Sequence, residues 1–506
     1  MARQPSIVII GAGFGGVAQA IELQRHGFSD ITILEKASAL GGTWFYNTYP
    51  GSACDVPSHL YSFSYATRRD WSRLCSPQAE ILDYLGEVAR HYGIDRLITY
   101  GVEVRSCTWE DDARRWTVTA ADGRTWNCDA LVVATGQLHR KRYPNIARRD
   151  AFAGQQFHSA EWNHNYELDG KRVAVVGTGA SAVQFVPEIA RRVSRLIVFQ
   201  RTGNWFLPRR NRAYPAFIKA AIQFIPGVQA YRRWFIFQYC ESLTLMIRHP
   251  RTLGLLGKVR SSIFMRLQLK DPEIRRKVWP DYTFGCKRLL FSSFFLPALQ
   301  RPNVDLVTER ITRITPAGLV AADSTEHEVD CIIWATGFHT NEFMFPMEIT
   351  GVGKRSLRDA WRNGAHAHLG MTVPGFPSMF ILYGPNTNSS GAPIISYLET
   401  QASYICQALQ QAHRRGVTAI DVRSDVAAKS EQEIQARFRG TAWTHCDSWY
   451  RTENGRIVAN WPGYMREYGA RTRTFNPDDF TFLPSPESTT STPAPDAMKE
   501  RSFRSS

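Results

Sequence analysis

The chain has little that would place it in a membrane, in a metal site or in a disulfide-stapled fold. No uncharged apolar run reaches the length needed to cross a bilayer. Cysteines stand at 54, 75, 107, 128, 240, 286, 331, 406 and 446. They form no CxxC or other close pair, which argues against a zinc site and against the redox-active pair of flavin disulfide reductases. An odd number at such wide spacing fits a reducing compartment. The start, MARQPS, passes straight into an apolar strand pattern, so a cytoplasmic location without a leader is expected. No metal-ligand cluster is visible, and no metal is expected. No nucleic-acid-binding motif accompanies the formal charge of +15, so nucleic acid is not expected as a partner. That charge is left to attract an anionic cofactor or a membrane surface, or to do nothing.

What is present is ordinary in bulk and specific in detail. At 506 residues, with 43% hydrophobic and 21% charged residues, the chain should form two or three globular domains. Two glycine-rich loops stand out. The first, Gly11-Ala-Gly13-Phe14-Gly15-Gly16, follows the apolar run Ile7–Ile10. The second, Gly177-Thr178-Gly179-Ala-Ser181-Ala182, follows Val173–Val176. Each reads as a strand, a tight turn and a helix start, which presents backbone N–H groups to a pyrophosphate.

The residues after the next strand separate the two nucleotides. Ile31–Leu34 ends at Glu35, a carboxylate able to accept from a ribose hydroxyl, so the first site reads as FAD. Leu196–Phe199 ends at Gln200-Arg201-Thr202. No acid is present, and a guanidinium suits a 2′-phosphate, so the second site reads as NADPH.

A second repeat supports two similar halves. Asp129-Ala-Leu-Val-Val-Ala-Thr-Gly136 recurs as Asp330-Cys-Ile-Ile-Trp-Ala-Thr-Gly337. The expected fold is α/β, with two doubly wound Rossmann-like dinucleotide-binding domains, one inserted in the other. The first part of the FAD domain would span 1–145, the NADPH domain 146–204 and 286–337, and the second part of the FAD domain with the substrate pocket 338–482. The low-complexity stretch 483–506 is expected to be disordered.

Residues 205–285 break the pattern: helical in period, aromatic and basic. Phe217, Ile218, Phe224, Ile225, Trp234, Phe235, Ile236 and Phe237 are too many apolar groups for an exposed helix pair. Most are expected to pack in a core, as a helical insertion covering a pocket. Contact of a basic amphipathic helix with a membrane surface is the alternative.

Three further segments fall outside the two loops: Gly41–Asp55, Phe152–Asn163 and Gly285-Cys286-Lys287-Arg288. With them the chain resembles the type I Baeyer–Villiger monooxygenases, within the flavin-containing monooxygenase group. The pattern FxGxxxHxxxW matches at Phe152, Gly154, His158 and Trp162, and departs from the usual next residue at Asn163. GGxWxxxxYPGxxxD matches at every fixed position through Asp55. The resemblance covers nearly the whole chain except 205–285 and the tail.

The resemblance implies that NADPH reduces the flavin, that O2 adds to it, and that the resulting peroxide attacks a ketone to give an ester or lactone. It assigns Arg288 the role of a fixed cation beside the peroxide and the developing oxyanion, and Asp55 that of orienting Arg288. It places Phe14, Thr43, Trp44, Tyr61 and Val104 along FAD. Thr178, Ser181, Arg201, Thr202 and Lys287 fall along NADPH, and Trp449 near the nicotinamide. His158 reads as a linker residue positioning the two halves rather than a base. The stretch Leu289–Leu296 lacks the acidic group common in relatives, which leaves the ketone open. Oxygenation at sulfur or nitrogen is the alternative reaction. A flavin-dependent electron-transfer reductase and a non-catalytic membrane-associated binding protein are readings of other classes.

Overall fold

A computed structural model describes residues 3–209, 211–388, 391 and 393–484. Two five-stranded parallel sheets organise it, and they have the same plan. In the first, strands run in the order 379–381, 130–133, 7–10, 31–35, 98–100. In the second, the order 155–158, 331–334, 172–176, 195–199, 304–307 places equivalent strands in equivalent positions. Ile7–Ile10, Ala130–Val133, Arg172–Val176 and Cys331–Trp334 are the central strands. Nearly all of their residues are buried, as expected of parallel strands covered on both faces. Each sheet carries an antiparallel three-stranded excursion before its second central strand, 104–128 in one half and 311–328 in the other.

The halves differ in where the fifth strand comes from. In the second sheet it is Gln155–His158, immediately preceding that half. In the first it is Met379–Ile381, supplied after the second half is complete. The chain therefore crosses between halves twice, and the two crossings run side by side. Lys141 and Phe338 form an antiparallel bridge. Arg142 N–H donates to the Gly337 carbonyl at 2.9 Å, and His339 N–H to the Arg140 carbonyl at 2.9 Å.

His158 sits at this double crossing, fully buried. Its Nδ1 accepts from Ala160 N–H at 3.1 Å, so Nε2 carries the proton and donates to the Gly337 carbonyl at 3.1 Å. Burial drives the imidazole down to about 4. A neutral ring with both nitrogens committed to backbone positions the crossing and is not a free base.

The segment 205–285 is helical: Ala216–Phe224, Val228–Arg248, Leu253–Gln268 and Pro272–Val278. The expectation that its apolar groups are mostly core is corrected. Ile236 is buried and Ile218 and Phe237 are half-buried, but Phe217, Phe224, Ile225, Trp234 and Phe235 are exposed. Hydrophobic counting treats these helices as core, and only their packing reveals which face is outward.

The cysteine reading also needs correction. Cys286 and Cys446 form a disulfide across 160 residues, joining the segment of Lys287 and Arg288 to that of Trp449. The other seven cysteines are free and buried. A long-range pair leaves no trace in spacing, so the cysteine pattern no longer speaks to the compartment. The strand Phe480–Pro484 enters the stretch expected to be disordered; residues 485–506 lie outside the described ones.

Candidate active site

Both glycine loops are shaped by the same contact. Gly11 and Gly177 have φ of +105° and +108°. A Cβ on Gly11 would lie 2.8 Å from the Ala134 carbonyl oxygen, and one on Gly177 would lie 2.5 Å from that of Ala335. The repeated Ala-Thr-Gly turn is thus the surface on which each loop rests, and only glycine fits there. The helices that follow, Phe14–Arg25 and Ala180–Ile189, begin after Gly13 and Gly179 without any side-chain cap. Their first N–H groups are left for a ligand, the arrangement a pyrophosphate requires.

From the first loop a cavity of about 640 Å³ runs toward the second half. Gly11, Gly13, Phe14 and Glu35 line its near end, and Thr43, Trp44, Tyr61 and Val104 its flank. Trp44 Nε1–H donates to Tyr61 Oη at 3.1 Å, and the Phe14 and Tyr61 rings meet edge-on at 5.6 Å. Glu35 is 5% exposed. Its Oε2 accepts from Ala12 N–H at 2.7 Å and its Oε1 from Ala37 N–H at 2.8 Å. These bonds fix the carboxylate at the strand end, with lone pairs remaining for a hydroxyl.

Asp55, Arg288, Lys287, Ser181 and Trp449 line the same cavity. Asp55 and Arg288, 233 residues apart, are joined by a charge-assisted hydrogen bond from Arg288 Nη2 to Asp55 Oδ2. The Arg288 side chain is 44% accessible and that of Asp55 24%; because both line the cavity, that accessibility includes the cavity side. The Asp55 charge raises the Arg288 guanidinium above its already high value, outweighing burial. Burial pushes the Asp55 carboxyl up, but Arg288 and Arg209 together bring it below its ordinary value. The pair is ionised, and the cation is fixed.

Gly41–Asp55 also ties the halves together. Ala53 N–H donates to Gln184 Oε1 at 3.2 Å, and Gln184 Nε2 donates back to the Ala53 carbonyl at 2.9 Å. Tyr49 Oη donates to the same Gln184 Oε1 at 3.1 Å. Gln184 belongs to the helix of the second glycine loop, so this segment holds Asp55 in register with that loop.

Gly16, Gly177, Thr178, Gly179, Arg201 and Thr202 lie outside the cavity wall. Gly16 backs the first loop: a Cβ there would lie 1.9 Å from the Gly11 carbonyl oxygen. Thr178 is buried, and its carbonyl accepts from Asn204 Nδ2 at 3.1 Å. Arg201 is exposed. It is near enough to Lys287 that, after burial, its charge is the main influence holding the Lys287 ammonium below its usual value. Two cations that repel each other are a site with which a phosphate dianion would be compatible.

Sequence reasoning missed several groups. Arg209 lines the cavity and acts on Asp55. Tyr383 Oη donates to Asn388 Oδ1 at 2.8 Å, and burial pushes its phenol up to about 12. Burial also raises the Tyr450 phenol, whose ring lies 4.0 Å from that of Trp449. Arg209 lies two residues beyond a strand, Phe206–Leu207, that pairs with Leu290–Phe291, a pairing no local motif signals. Leu290, Phe295 and Leu296 in the acid-free stretch are buried core, while Leu289 and Phe291 reach the cavity.

Fold and site together define an oxidoreductase built on two dinucleotide units. Residues 8–223 match the family model described as pyridine nucleotide-disulphide oxidoreductase. A Baeyer-Villiger monooxygenase of Streptomyces coelicolor is 39% identical over 95% of this chain and 93% of its own length. One from Pseudomonas aeruginosa is 37% identical over 96% and 93%. The solved cyclohexanone monooxygenase from Rhodococcus sp. Phi1 bound to NADP+ superposes with a TM-score of 0.86, at 27% identity, covering 96% of this chain and all of that one. The chain belongs to the Baeyer–Villiger monooxygenases and is a flavin monooxygenase.

Proposed function

We propose that this enzyme uses NADPH and O2 to insert one oxygen atom beside a ketone carbonyl, giving an ester or lactone. The observation that carries this reading is the Asp55–Arg288 ion pair in the wall of the cavity that starts at the first glycine loop. FAD and NADPH are its cofactors. The uncapped helix start at Gly13 and the anchored Glu35 fit the FAD diphosphate and ribose. The second uncapped start at Gly179, with Ser181, Arg201, Thr202 and Lys287, fits NADPH.

When bound, FAD would supply the activation of O2, from which the inserted oxygen atom comes, with NADPH as the source of electrons. The chain's own residues supply the electrostatics. Negative charge builds on the carbonyl oxygen as the ketone is attacked, and Arg288 presents fixed N–H donors to it. Asp55 keeps the guanidinium in place and charged. Against its burial, Arg288, helped by Arg209, holds the Asp55 carboxyl below its ordinary value. Tyr383 and Tyr450, both protonated at neutral pH, add neutral polar groups to the cavity without competing charge.

Oxygen transfer to sulfur develops no carbonyl oxyanion, so a cation held in this way favours the ketone reading. The test offers the holoenzyme a cyclic ketone and a thioether with NADPH and air. Ester or lactone formation coupled to NADPH oxidation is expected. Sulfoxide with no ester from any of a panel of linear, cyclic and aryl ketones would overturn it.

A further inference from the structure

The helices 216–268 carry a surface that the reaction does not explain. Eleven of the fourteen large hydrophobic side chains exposed among the described residues fall between Phe217 and Leu267. On Leu253–Gln268 the inward face is made mostly of small residues. Gly254, Gly257 and Ser261 face inward with Met265, and a Cβ on Gly257 would lie 2.5 Å from the Phe284 ring. Leu256, Val259, Ile263 and Leu267, at spacings of one helical turn, face outward. A helix that only needed solubility would do the reverse. The neighbouring helix 228–248 adds Tyr231, Trp234 and Phe235 on its outer face, aromatic types suited to the lipid–water boundary.

Charge decides what covers this face. From 212 to 270 there are ten Lys and Arg residues and one acid, Glu241. That acid is buried and accepts from Met465 N–H. The exposed charges are therefore all positive, with Lys258 and Arg266 set among the outward leucines. A second copy meeting this face symmetrically would bring cation to cation. An anionic lipid surface offers apolar depth and negative headgroups together. Among the described residues no helix is long and apolar enough to cross a membrane, so the geometry is that of helices lying in the interface.

We infer that the outer face of helices 216–268 docks this enzyme on an anionic lipid bilayer. The surface is continuous with the site: helix 228–248 bears Trp234 and Phe235 outside, and its later residues Tyr239, Cys240 and Leu243 wall the cavity.

The test is co-sedimentation of the full-length holoenzyme with vesicles of phosphatidylcholine alone or mixed with phosphatidylglycerol. Binding to the mixed vesicles, weakened by salt, is expected. Lys258→Gln and Arg266→Gln should each lower the partition coefficient about fivefold. Leu256→Ser with Ile263→Ser should lower it at least about tenfold. Retained flavin absorbance and an unchanged rate of flavin bleaching by NADPH show that the variants are folded. Absence of vesicle binding, or variants that bind as well as the parent, would overturn the inference. So would a dimer in sedimentation equilibrium that the apolar variant dissolves, because the occupant would then be a second copy. Binding is read without turnover, so its failure is separate from any failure of the ketone reading.

Discussion

The two nucleotide halves invite a position-by-position comparison. Gly11 N–H donates to the Leu34 carbonyl at 2.8 Å, and Gly177 N–H to that of Phe199 at 3.0 Å. Ala134 N–H donates to Ile10 and Ala335 N–H to Val176, both at 2.9 Å. In each half the first glycine leans on the alanine carbonyl of the Ala-Thr-Gly turn. The backbone that holds a diphosphate is therefore repeated almost bond for bond. The differences lie in side chains at the edges. One half ends its second strand in a buried carboxylate; in the other the strand is followed by Gln200 and an exposed Arg201. One closes its loop with Gly16, the other with Ala182. In the proposed function, the shared backbone holds a dinucleotide in each half and a few edge residues choose which.

The largest expected effect comes from exchanging the third small residue. A Cβ on Gly16 would lie 1.9 Å from a backbone oxygen, which no side-chain shift relieves. Gly16→Ala should abolish FAD retention, read from the flavin absorbance of the purified protein. Ala182→Gly should cost about 1 kcal/mol, the penalty of glycine in a helix, and leave NADPH binding measurable. Equal tolerance at both positions would break the comparison.

Next in size is coenzyme choice. Arg201→Ala removes a charge-assisted partner worth roughly 1.5–3 kcal/mol. The Michaelis constant for NADPH should rise about tenfold or more, with that for NADH little changed. Equal effects on both would remove Arg201 from the 2′-phosphate. Lys287→Ala should act in the same direction, since the two cations are near enough to influence each other.

Smallest per unit change is the pH dependence of stability. Burial holds His158 at about 4, and burial with the charges of Arg232 and Arg233 holds His59 at about 4. Unfolded, both titrate near 6.5. Above that pH both states are neutral and neither histidine makes stability depend on pH. Between 6.5 and about 4 the unfolded chain takes up protons that the folded one refuses. Stability should then fall by about 1.4 kcal/mol per pH unit for each histidine. Denaturant melts across this window should show the slope, reduced in His158→Asn; a flat profile would contradict neutral buried rings.

Much of this site is legible in the sequence because its chemistry needs local backbone. Glycine loops, the Ala-Thr-Gly repeat and the Gly41–Asp55 segment are contiguous, so their spacing survives in the linear chain. The meeting of Asp55 with Arg288 is legible only through family resemblance, since 233 residues separate them. Arg209, Tyr383 and Tyr450 reach the cavity by tertiary pairing alone. The Cys286–Cys446 bond is invisible for the same reason. The insertion shows the other limit. Its hydrophobic count is plain, but the count does not say which face is outward, and there the small residues Gly254, Gly257 and Ser261 take the inside.

The most direct test of the account is the fate of NADPH electrons in Arg288→Ala. The variant should keep FAD, since the residues proposed to hold it, Gly11, Gly13, Gly16 and Glu35, are left unchanged. NADPH should still bleach the flavin, though more slowly. Ester formation from a ketone that the parent converts should fall about a hundredfold to a thousandfold, the usual cost of one oxyanion-stabilising group, with the reducing equivalents appearing as hydrogen peroxide. Ester yield per NADPH close to that of the parent enzyme would contradict the role assigned to the Asp55–Arg288 pair.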